Sequence, residues 1–108
     1  MIDKRLLTDS LTVRLKDGKN EFGDESYGQA FTLSPVRFDR SVSVVGSSNS
    51  KSRLKHGRIF VYSRFVQVRV DDTWLEGIVS DGQREYIIKG FETNFLNGRL
   101  FGYEIEVQ

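Results

Sequence analysis

The C-terminal stretch 78–107 constrains the fold most, because it contains two tight-turn signals between apolar segments. Asp81-Gly82 and Asn97-Gly98 each separate two runs of strand-forming residues. Asn or Asp followed by Gly is typical of a type I′ turn, since both central residues need positive φ and these residues adopt it at the least steric cost. We therefore predict three consecutive antiparallel strands, a β-meander, in this part of the chain.

The last strand of this meander has an alternating pattern. Tyr103, Ile105 and Val107 occupy one face, and Glu104 and Glu106 occupy the other. A strand of this kind has one face against a core and the other in water. We expect the apolar face to close the core of the domain.

Further strand signals precede the meander. Alternating or continuous apolar residues predict strands over residues 10–17, 30–40, 58–62 and 65–70. The apolar parity changes at Ser34-Pro35, so we expect a bulge or bend there, because proline cannot donate to a hydrogen-bond ladder. Residues 41–45 are expected to continue that strand or to begin another.

Composition favours strands over helices. Aromatic residues make up 12% of the chain, while alanine is nearly absent. At 108 residues the chain is long enough for one domain with its own core. We predict a single all-β domain over residues 1–108, a small antiparallel β-barrel or sandwich of about six to eight short strands with a lead-in segment at residues 1–9.

Charge and residue usage exclude several function classes. The chain has no cysteine and a formal net charge of +1, which excludes disulfide frameworks, thiolate metal sites and a strongly basic nucleic-acid binder. It has no apolar run of about 20 residues, the length that spans a bilayer. The apolar run at the N-terminus is too short for a secretory signal. We expect a protein made in the cytoplasm, with no contact to a membrane.

Residues 46–57 are predicted to form a long flexible loop, because this stretch is rich in serine and glycine and then basic. The basic residues in and beside it are Lys51, Arg53, Lys55, His56 and Arg58. The four lysines and arginines among them would bind a polyanion weakly in one copy, whereas the same loop repeated around a ring would bind much more strongly. The alternative is an ordinary solvated loop that charge keeps soluble.

Two aromatic residues, Phe22 and Tyr27, stand in a polar stretch over residues 17–29 that is otherwise typical of a loop. They are expected either to cap one end of the barrel or to contact a partner, since exposed aromatics are over-represented at interfaces. Elsewhere, Trp74 is expected in the core, and Gly102 is expected at a bulge or at a close approach of two backbones.

Catalytic chemistry is poorly supported. His56 is the single histidine and falls in the predicted loop, so no serine–histidine–acid set can be argued. The carboxylate pairs Asp71/Asp72 and Asp81/Glu85 lie at predicted strand ends, where acids ordinarily solubilise the chain or protect sheet edges. We predict no enzymatic activity, no cofactor, no metal and no small-molecule substrate.

Several short motifs are similar to those of one protein family. They are Leu6-Leu7, Phe22-Gly23, Tyr27, Phe31-Thr32-Leu33, Val36-Arg37-Phe38, Gly82-Gln83-Arg84-Glu85-Tyr86-Ile87-Ile88 and Gly102-Tyr103-Glu104-Ile105-Glu106-Val107. In this order they resemble the small minor capsid proteins encoded in the structural-gene clusters of tailed bacteriophages and prophages. These proteins are similar to head-closure (stopper) and head–tail joining proteins.

The resemblance implies a non-enzymatic component of the virion. Such proteins assemble as a ring beneath the portal, extend the DNA channel, close the filled head and offer a docking surface to the tail. The implied partners are a portal or adaptor protein, tail proteins and further copies of the same chain, with non-specific DNA contact in the channel. By analogy, residues 46–57 are expected to project from the barrel towards a neighbour, the channel or a tail-side partner.

One other class remains open at this point. A small β-barrel of the oligonucleotide-binding type would stack bases on exposed aromatics beside a cationic groove. Here the strand aromatics mostly have core parity and the cations cluster in the predicted loop, which argues against that class.

Overall fold

The computed structural model describes residues 4–19, 25–45 and 52–108. These residues form eight strands and two short 3-10 turns. The strands are β1 (Asp9–Arg14), β2 (Lys16–Lys19), β3 (Glu25–Tyr27), β4 (Phe31–Val45), β5 (Ser52–Tyr62), β6 (Ile78–Ser80), β7 (Glu85–Leu96) and β8 (Arg99–Val107), and the 3-10 turns are Lys4–Leu6 and Asp72–Trp74.

Six strands close into an antiparallel barrel in the order β1-β4-β5-β8-β7-β6. The barrel closes between β1 and β6, where Thr12 pairs with Ser80 and Arg14 pairs with Ile78. Strands β2 and β3 form a separate two-stranded hairpin. The predicted all-β barrel is therefore confirmed, with the small hairpin as an addition.

Apolar residues of alternating parity fill the barrel. The least exposed of them are Leu11, Val13, Leu33, Val36, Ile59, Val61, Val79, Ile88, Ile105 and Val107. Trp74 is 4% exposed and meets Phe31 edge to face at a centroid distance of 5.5 Å, which confirms its predicted place in the core. Among the described residues, none of the buried ones is polar or charged. Burial of apolar area is therefore the main stabilising term.

The second predicted turn of the meander is confirmed. Leu96 pairs directly with Arg99, so Asn97 and Gly98 alone connect β7 to β8. Their φ angles are 53° and 76°, as a type I′ turn requires.

The first predicted turn is longer than expected. Strand β6 ends at Ser80 and β7 begins at Glu85, so the connection has four residues rather than two. Gly82 has a φ of 92°, whereas Asp81 does not adopt positive φ. The Asp81 carboxylate instead accepts hydrogen bonds from the backbone N–H groups of Gln83 (2.9 Å) and Arg84 (2.8 Å). This side-chain bonding favours the wider loop over a type I′ turn.

The predicted irregularity near Ser34-Pro35 is confirmed. Leu11 pairs with Leu33 and Asp9 pairs with Val36, so β4 contains one more residue than β1 between these two pairs. Leu33 and Val36 consequently both face the core despite their opposite parity. Residues 41–45 continue β4 rather than beginning another strand.

The prediction of a strand over residues 65–70 is wrong, although the predicted division into buried and exposed side chains is correct. Val66 and Val70 are buried and Gln67 and Arg69 are exposed, yet the segment pairs with none of the described strands. A turn in which the Val66 N–H donates to the Tyr62 carbonyl (3.0 Å) leads the chain away from β5. Strand β8 already has β5 and β7 as neighbours, so no position beside it is left.

Gly102 combines both predicted roles. It pairs with Tyr62 of β5 on one side and with Asn94 of β7 on the other. The β7–β8 register shifts immediately beyond it, and a Cβ at this position would overlap the Val61 carbonyl oxygen. A glycine is required here because the two backbones approach closely.

Strands β4 and β5 extend beyond the barrel. Nine residue pairs join them, from Arg37 with Phe60 to Val45 with Ser52. Strand β5 contacts β8 only from Gly57 onwards. Residues 41–45 and 52–56 therefore form a two-stranded extension, here called the β4–β5 arm, of about 17 Å at the usual rise per residue.

The arm corrects the predicted loop over residues 46–57. Ser52 to Gly57 belong to β5 and pair with β4, so this part of the predicted loop is a strand. Residues 46–51 lie outside the described part of the chain. The strand was missed because this basic, serine-containing stretch has few apolar residues, whereas its ladder forms through backbone hydrogen bonds, which any non-proline residue can supply.

Candidate assembly surfaces

The structure does not gather the predicted basic residues into one cluster. Arg53 and Lys55 lie in the β4–β5 arm, where their register partners are Val44 and Val42. His56 lies at the base of the arm in a shallow pocket with Asp39 and Glu106 among its lining residues. Lys51 lies outside the described residues. The role of these residues in assembly or in the channel stays a prediction.

Arg58 belongs to the barrel wall rather than to a loop. Its guanidinium lies 3.3 Å from the Glu104 carboxylate, and its backbone pairs with Glu106. Glu92 and Glu104 occupy directly opposite positions on β7 and β8, a like-charge arrangement that is unfavourable. Arg58 offsets part of that repulsion, so this face is acidic with one cation embedded in it.

Other arginines of the barrel wall are also paired. Their partners are Glu85 for Arg14 (2.9 Å), Asp39 for Arg37 (2.9 Å) and Asp81 for Arg40 (3.2 Å). The strand aromatics Phe38 and Tyr86 are buried and meet edge to face at 5.1 Å. A base-stacking surface needs exposed rings and available cations, so this part of the wall does not favour the oligonucleotide-binding alternative.

Tyr27 lies in β3, in a stretch that had been predicted as a loop. It is half-buried, and the Arg14 guanidinium lies 5.9 Å from the centre of its ring. The Gly28 N–H donates to the Leu15 carbonyl at 2.7 Å, which holds this hairpin against the end of β1. Phe22 lies outside the described residues. The contact of either aromatic with a partner stays a prediction.

An exposed apolar surface, which the sequence analysis did not identify, covers the end of the β7–β8 hairpin. We call residues 95–100 the hairpin tip. Phe95, Leu96 and Leu100 are 67%, 58% and 37% exposed. A groove of about 400 Å³ runs beside the tip and is lined by Tyr62, Ser63, Arg64, Phe65, Leu96, Leu100 and Phe101. One signal was present in the sequence: neighbouring strand residues face opposite sides, so Phe95 and Leu96 cannot both face the core.

The comparison with protein families favours one of the classes that the sequence left open. A family model described as minor capsid protein matches residues 3–107, nearly the whole chain. The chain belongs to the minor capsid protein family. No curated protein and no solved structure matches it significantly.

Family membership supports a structural role for this minor capsid protein in a phage particle, together with contacts to other virion components. It also suggests a protein that is not an enzyme. The arm, the hairpin tip and the β2–β3 hairpin are described features of the minor capsid protein that lie beyond its closed barrel.

The carboxylates at the loop ends of the minor capsid protein have structural roles. Asp71 accepts hydrogen bonds from the hydroxyl and the backbone N–H of Thr73 and thereby begins the second 3-10 turn. These bonds lower the pKa of Asp71, and the bond from the Thr73 hydroxyl contributes most. The backbone N–H groups of Arg84 and Gln83 lower the pKa of Asp81, whose side chain is 8% exposed. Both groups are held ionised by local bonding, as in a capping interaction.

The described ranges of the minor capsid protein show neither a metal cluster nor a membrane-spanning helix. No group of three or more histidine, aspartate or glutamate side chains there converges so that it could hold a metal ion. None of the helices in those ranges has the length and apolar character needed to cross a membrane.

Proposed function

We propose that this minor capsid protein is a head–tail connector of the head-closure type. In this role it folds as a single domain over residues 1–108, assembles as a ring below the portal of the virion and provides a docking surface for the tail. Its partners are the portal or adaptor protein, the tail proteins and neighbouring copies of the same chain. The observation that carries the proposal is the β4–β5 arm, which extends from a barrel that is otherwise closed.

The arm offers backbone groups for pairing with a neighbour. Residues 41–45 and 52–56 pair with each other, and beyond the barrel neither strand has a further partner among the described strands. A strand with an open edge can accept another strand through main-chain hydrogen bonds. A second open edge runs along β7 beyond Ile88, where β8 is its one neighbour among the described strands.

The two open edges differ, so a contact between them is heterologous. The arm of one copy would meet the β7 edge of the next, and the same contact would recur around an axis. Heterologous contacts generate rings when the rotation closes. A ring built in this way would need one repeated contact and no second kind of interface.

The distribution of charge is compatible with the same arrangement. The arm sequence contains Arg53 and Lys55, whereas the barrel wall presents Glu92, Glu104 and Glu106. Opposite charges on the two surfaces steer and orient association. Cations repeated around a ring would also give non-specific contact with DNA in the channel, because many weak phosphate contacts add up.

The test shortens the arm without disturbing the barrel. Ser43 and Leu54 pair directly, so replacing residues 44–53 by Asn-Gly would join them with the kind of turn that joins Leu96 to Arg99. The shortened protein should keep the fluorescence of buried Trp74 and its unfolding midpoint. Phage particles that carry it should lose DNA from filled heads and fail to join tails.

The matched control keeps the arm at full length and replaces residues 46–51 by six glycine and serine residues. It should complete heads normally, because both strands of the arm remain. If particles with the shortened arm retain DNA and join tails as well as the control, the connector role of the arm is wrong. Binding of single-stranded DNA by the isolated protein, with a steep salt dependence, would favour the oligonucleotide-binding alternative instead.

A further inference from the structure

We infer that the hairpin tip and its groove form a docking site for an extended segment of another virion protein that carries apolar and acidic side chains. This inference deepens the proposed function, because it gives the tail-docking surface a location and its partner a chemistry. The arm then mediates contact between copies, and the tip mediates contact with a different protein.

The exposure of the tip is the first observation. Leu96 and Leu100 line the groove, and Phe95 lines a second pocket with Leu100 at the same end of the hairpin; all three expose apolar side chains. Leu6 is also 62% exposed, but it lies in the 3-10 turn near the N-terminus, away from the tip residues in sequence. Contiguous apolar patches on a soluble domain mark interaction sites, whereas single exposed residues are ordinary.

The groove beside the tip is already formed. The single Ser63 hydroxyl proton is shared between the carbonyls of Leu100 (2.9 Å) and Phe101 (3.1 Å), and the Ser63 N–H donates to the Phe101 carbonyl (3.0 Å). The rings of Tyr62 and Phe101 meet edge to face at 5.4 Å. These contacts hold the tip against the end of β5. A partner segment would therefore bind without a large ordering cost.

The charge around the groove indicates the chemistry of the partner. Arg64 lines the groove, and its guanidinium lies 5.6 Å from the centre of the Phe65 ring. Arg99 lies directly opposite Leu96 at the turn. Neither arginine takes part in the salt bridges formed among the described residues, whereas several arginines of the barrel wall do. Charge complementarity therefore favours a partner with carboxylates beside its apolar residues.

The same charges disfavour other occupants. A dimer with tip against tip would bring Arg64 and Arg99 of both copies together, because a two-fold interface places like residues face to face. The arm of another copy would add Arg53 and Lys55 to the same region. Nucleic acid stacks its bases on well-exposed rings, whereas the rings that line the groove, those of Tyr62, Phe65 and Phe101, are half-buried.

The binding test uses the full-length protein labelled with ¹⁵N. The probe is a blocked nine-residue peptide of alternating valine and glutamate, and the matched probe replaces each glutamate by lysine. The glutamate peptide should shift the amide signals of residues 62–65 and 95–101, and the lysine peptide should bind at least about tenfold more weakly. Equal shifts with both peptides, or none with either, would overturn the inference.

Two variants test the residues involved. Leu96→Ser should weaken binding of the glutamate peptide about tenfold, and Arg64→Gln should weaken it and reduce its salt dependence. Leu6→Ser is the matched control, because it removes a leucine of similar exposure from another part of the surface. If Leu6→Ser weakens binding as much as Leu96→Ser, the tip is not the site.

Two further measurements separate the rival occupants. In sedimentation, the parent protein should not self-associate through the tip. If it does self-associate and Leu96→Ser abolishes the association, a second copy is the occupant and the inference is wrong. Titration with a short oligothymidylate should leave the amides of the tip unchanged, and shifts there would assign the site to nucleic acid.

Particle assays separate this inference from the proposed function. Particles with Leu96→Ser should retain DNA but join tails poorly, whereas the shortened arm should impair head closure itself. Normal tail joining by Leu96→Ser particles would reject the docking site and leave the connector role standing. Normal closure with the shortened arm would reject the role of the arm in head closure and leave the peptide result to be judged separately.

Discussion

Gly102 is the position at which one added methyl group should cost most. It lies in the middle of the three-strand ladder, with Tyr62 and Asn94 as its neighbours on β5 and β7. A Cβ would overlap the Val61 carbonyl oxygen and would lie 3.2 Å from both the Val61 carbonyl carbon and the Tyr62 Cα. These atoms are backbone, so no side-chain rotation relieves the overlap.

The magnitude for Gly102→Ala follows from what must move. Overpacking in a closely packed region costs about 1–3 kcal/mol. Separating β5 from β8 also weakens neighbouring bonds, such as that from the Ser63 N–H to the Phe101 carbonyl (3.0 Å), each of which contributes about 1 kcal/mol. The sum is about 3 kcal/mol, a large part of the stability of a small domain. It corresponds to a melting temperature roughly 12–24 °C lower.

Urea unfolding followed by the fluorescence of Trp74 measures this change, because this single tryptophan is 4% exposed. The unfolding midpoint of Gly102→Ala should fall by about 2 M at a typical slope for a domain of this size. Gly90→Ala is the matched control. Its Cβ would lie 3.6 Å from a Glu106 carboxylate oxygen, an ordinary contact, so its free energy of unfolding should stay within about 0.5 kcal/mol of the parent protein.

The refuting result is a small difference between these two variants. If Gly102→Ala and Gly90→Ala unfold within about 0.5 kcal/mol of each other, the close approach of β5 and β8 does not require a glycine. An unchanged midpoint with a lower slope would instead indicate a change in the compactness of the unfolded or folded state.

Three further changes have expected outcomes that the same unfolding assay measures. Asp81→Ala should cost about 1–2 kcal/mol, because the N–H groups of Arg84 and Gln83 lose their acceptor. Since those bonds lower the pKa of Asp81 in the folded protein, their contribution is complete above its ordinary value of 3.8 and is lost as the pH falls through the lowered pKa. Unfolding midpoints at acidic pH should therefore decline more steeply for the parent protein than for Asp81→Ala, and parallel declines would contradict this. Asp9→Ala should cost about 1–2 kcal/mol, because a partly buried backbone N–H of β4 loses its acceptor; a cost near zero would mean that water replaces the carboxylate. Gly98→Ala should cost about 1 kcal/mol from its φ of 76° alone, since the space around it is open; a larger cost would reveal a contact at the turn.

Features encoded over a few residues could be predicted from the sequence. The alternation of Ile105 and Val107 with the glutamates of β8 gave the correct buried face, because a strand has a period of two. The change of parity between Leu33 and Val36 gave the correct bulge. Asn97-Gly98 gave the correct turn, because its conformation depends on those two residues alone.

Features that depend on distant partners could not be predicted. The alternation of Val66 and Val70 shows which side is buried, but whether such a segment pairs depends on strands elsewhere in the chain. The loop at Asp81 is wider than a type I′ turn because the Asp81 carboxylate accepts hydrogen bonds from the backbone N–H groups of Gln83 and Arg84. A sequence pattern indicates which side of a segment is buried more directly than it indicates which strand the segment pairs with.

For the candidate surfaces, too, features encoded over a few residues could be predicted and features that depend on distant partners could not. Ser52 to Gly57 were assigned to a loop because few apolar residues marked them as a strand, although their pairing with β4 needs no apolar residue. The minor capsid family was indicated by short motifs spread along the chain and is supported by the match over residues 3–107. The turn signals of the meander do not indicate the apolar hairpin tip, because the tip consists of residues that face outward from the strands.

The continuity of β4 and β5 has a mechanical consequence. Each strand runs without a break from the barrel wall into the arm, so the arm and the wall are parts of the same pair of strands. A force applied to the arm by a neighbouring molecule would be transmitted through the hydrogen-bond ladder to the barrel, because no hinge between the arm and the barrel could bend. In the proposed ring, each subunit would then set the angle at which the next one is added, and a load on one subunit would be shared with its neighbours.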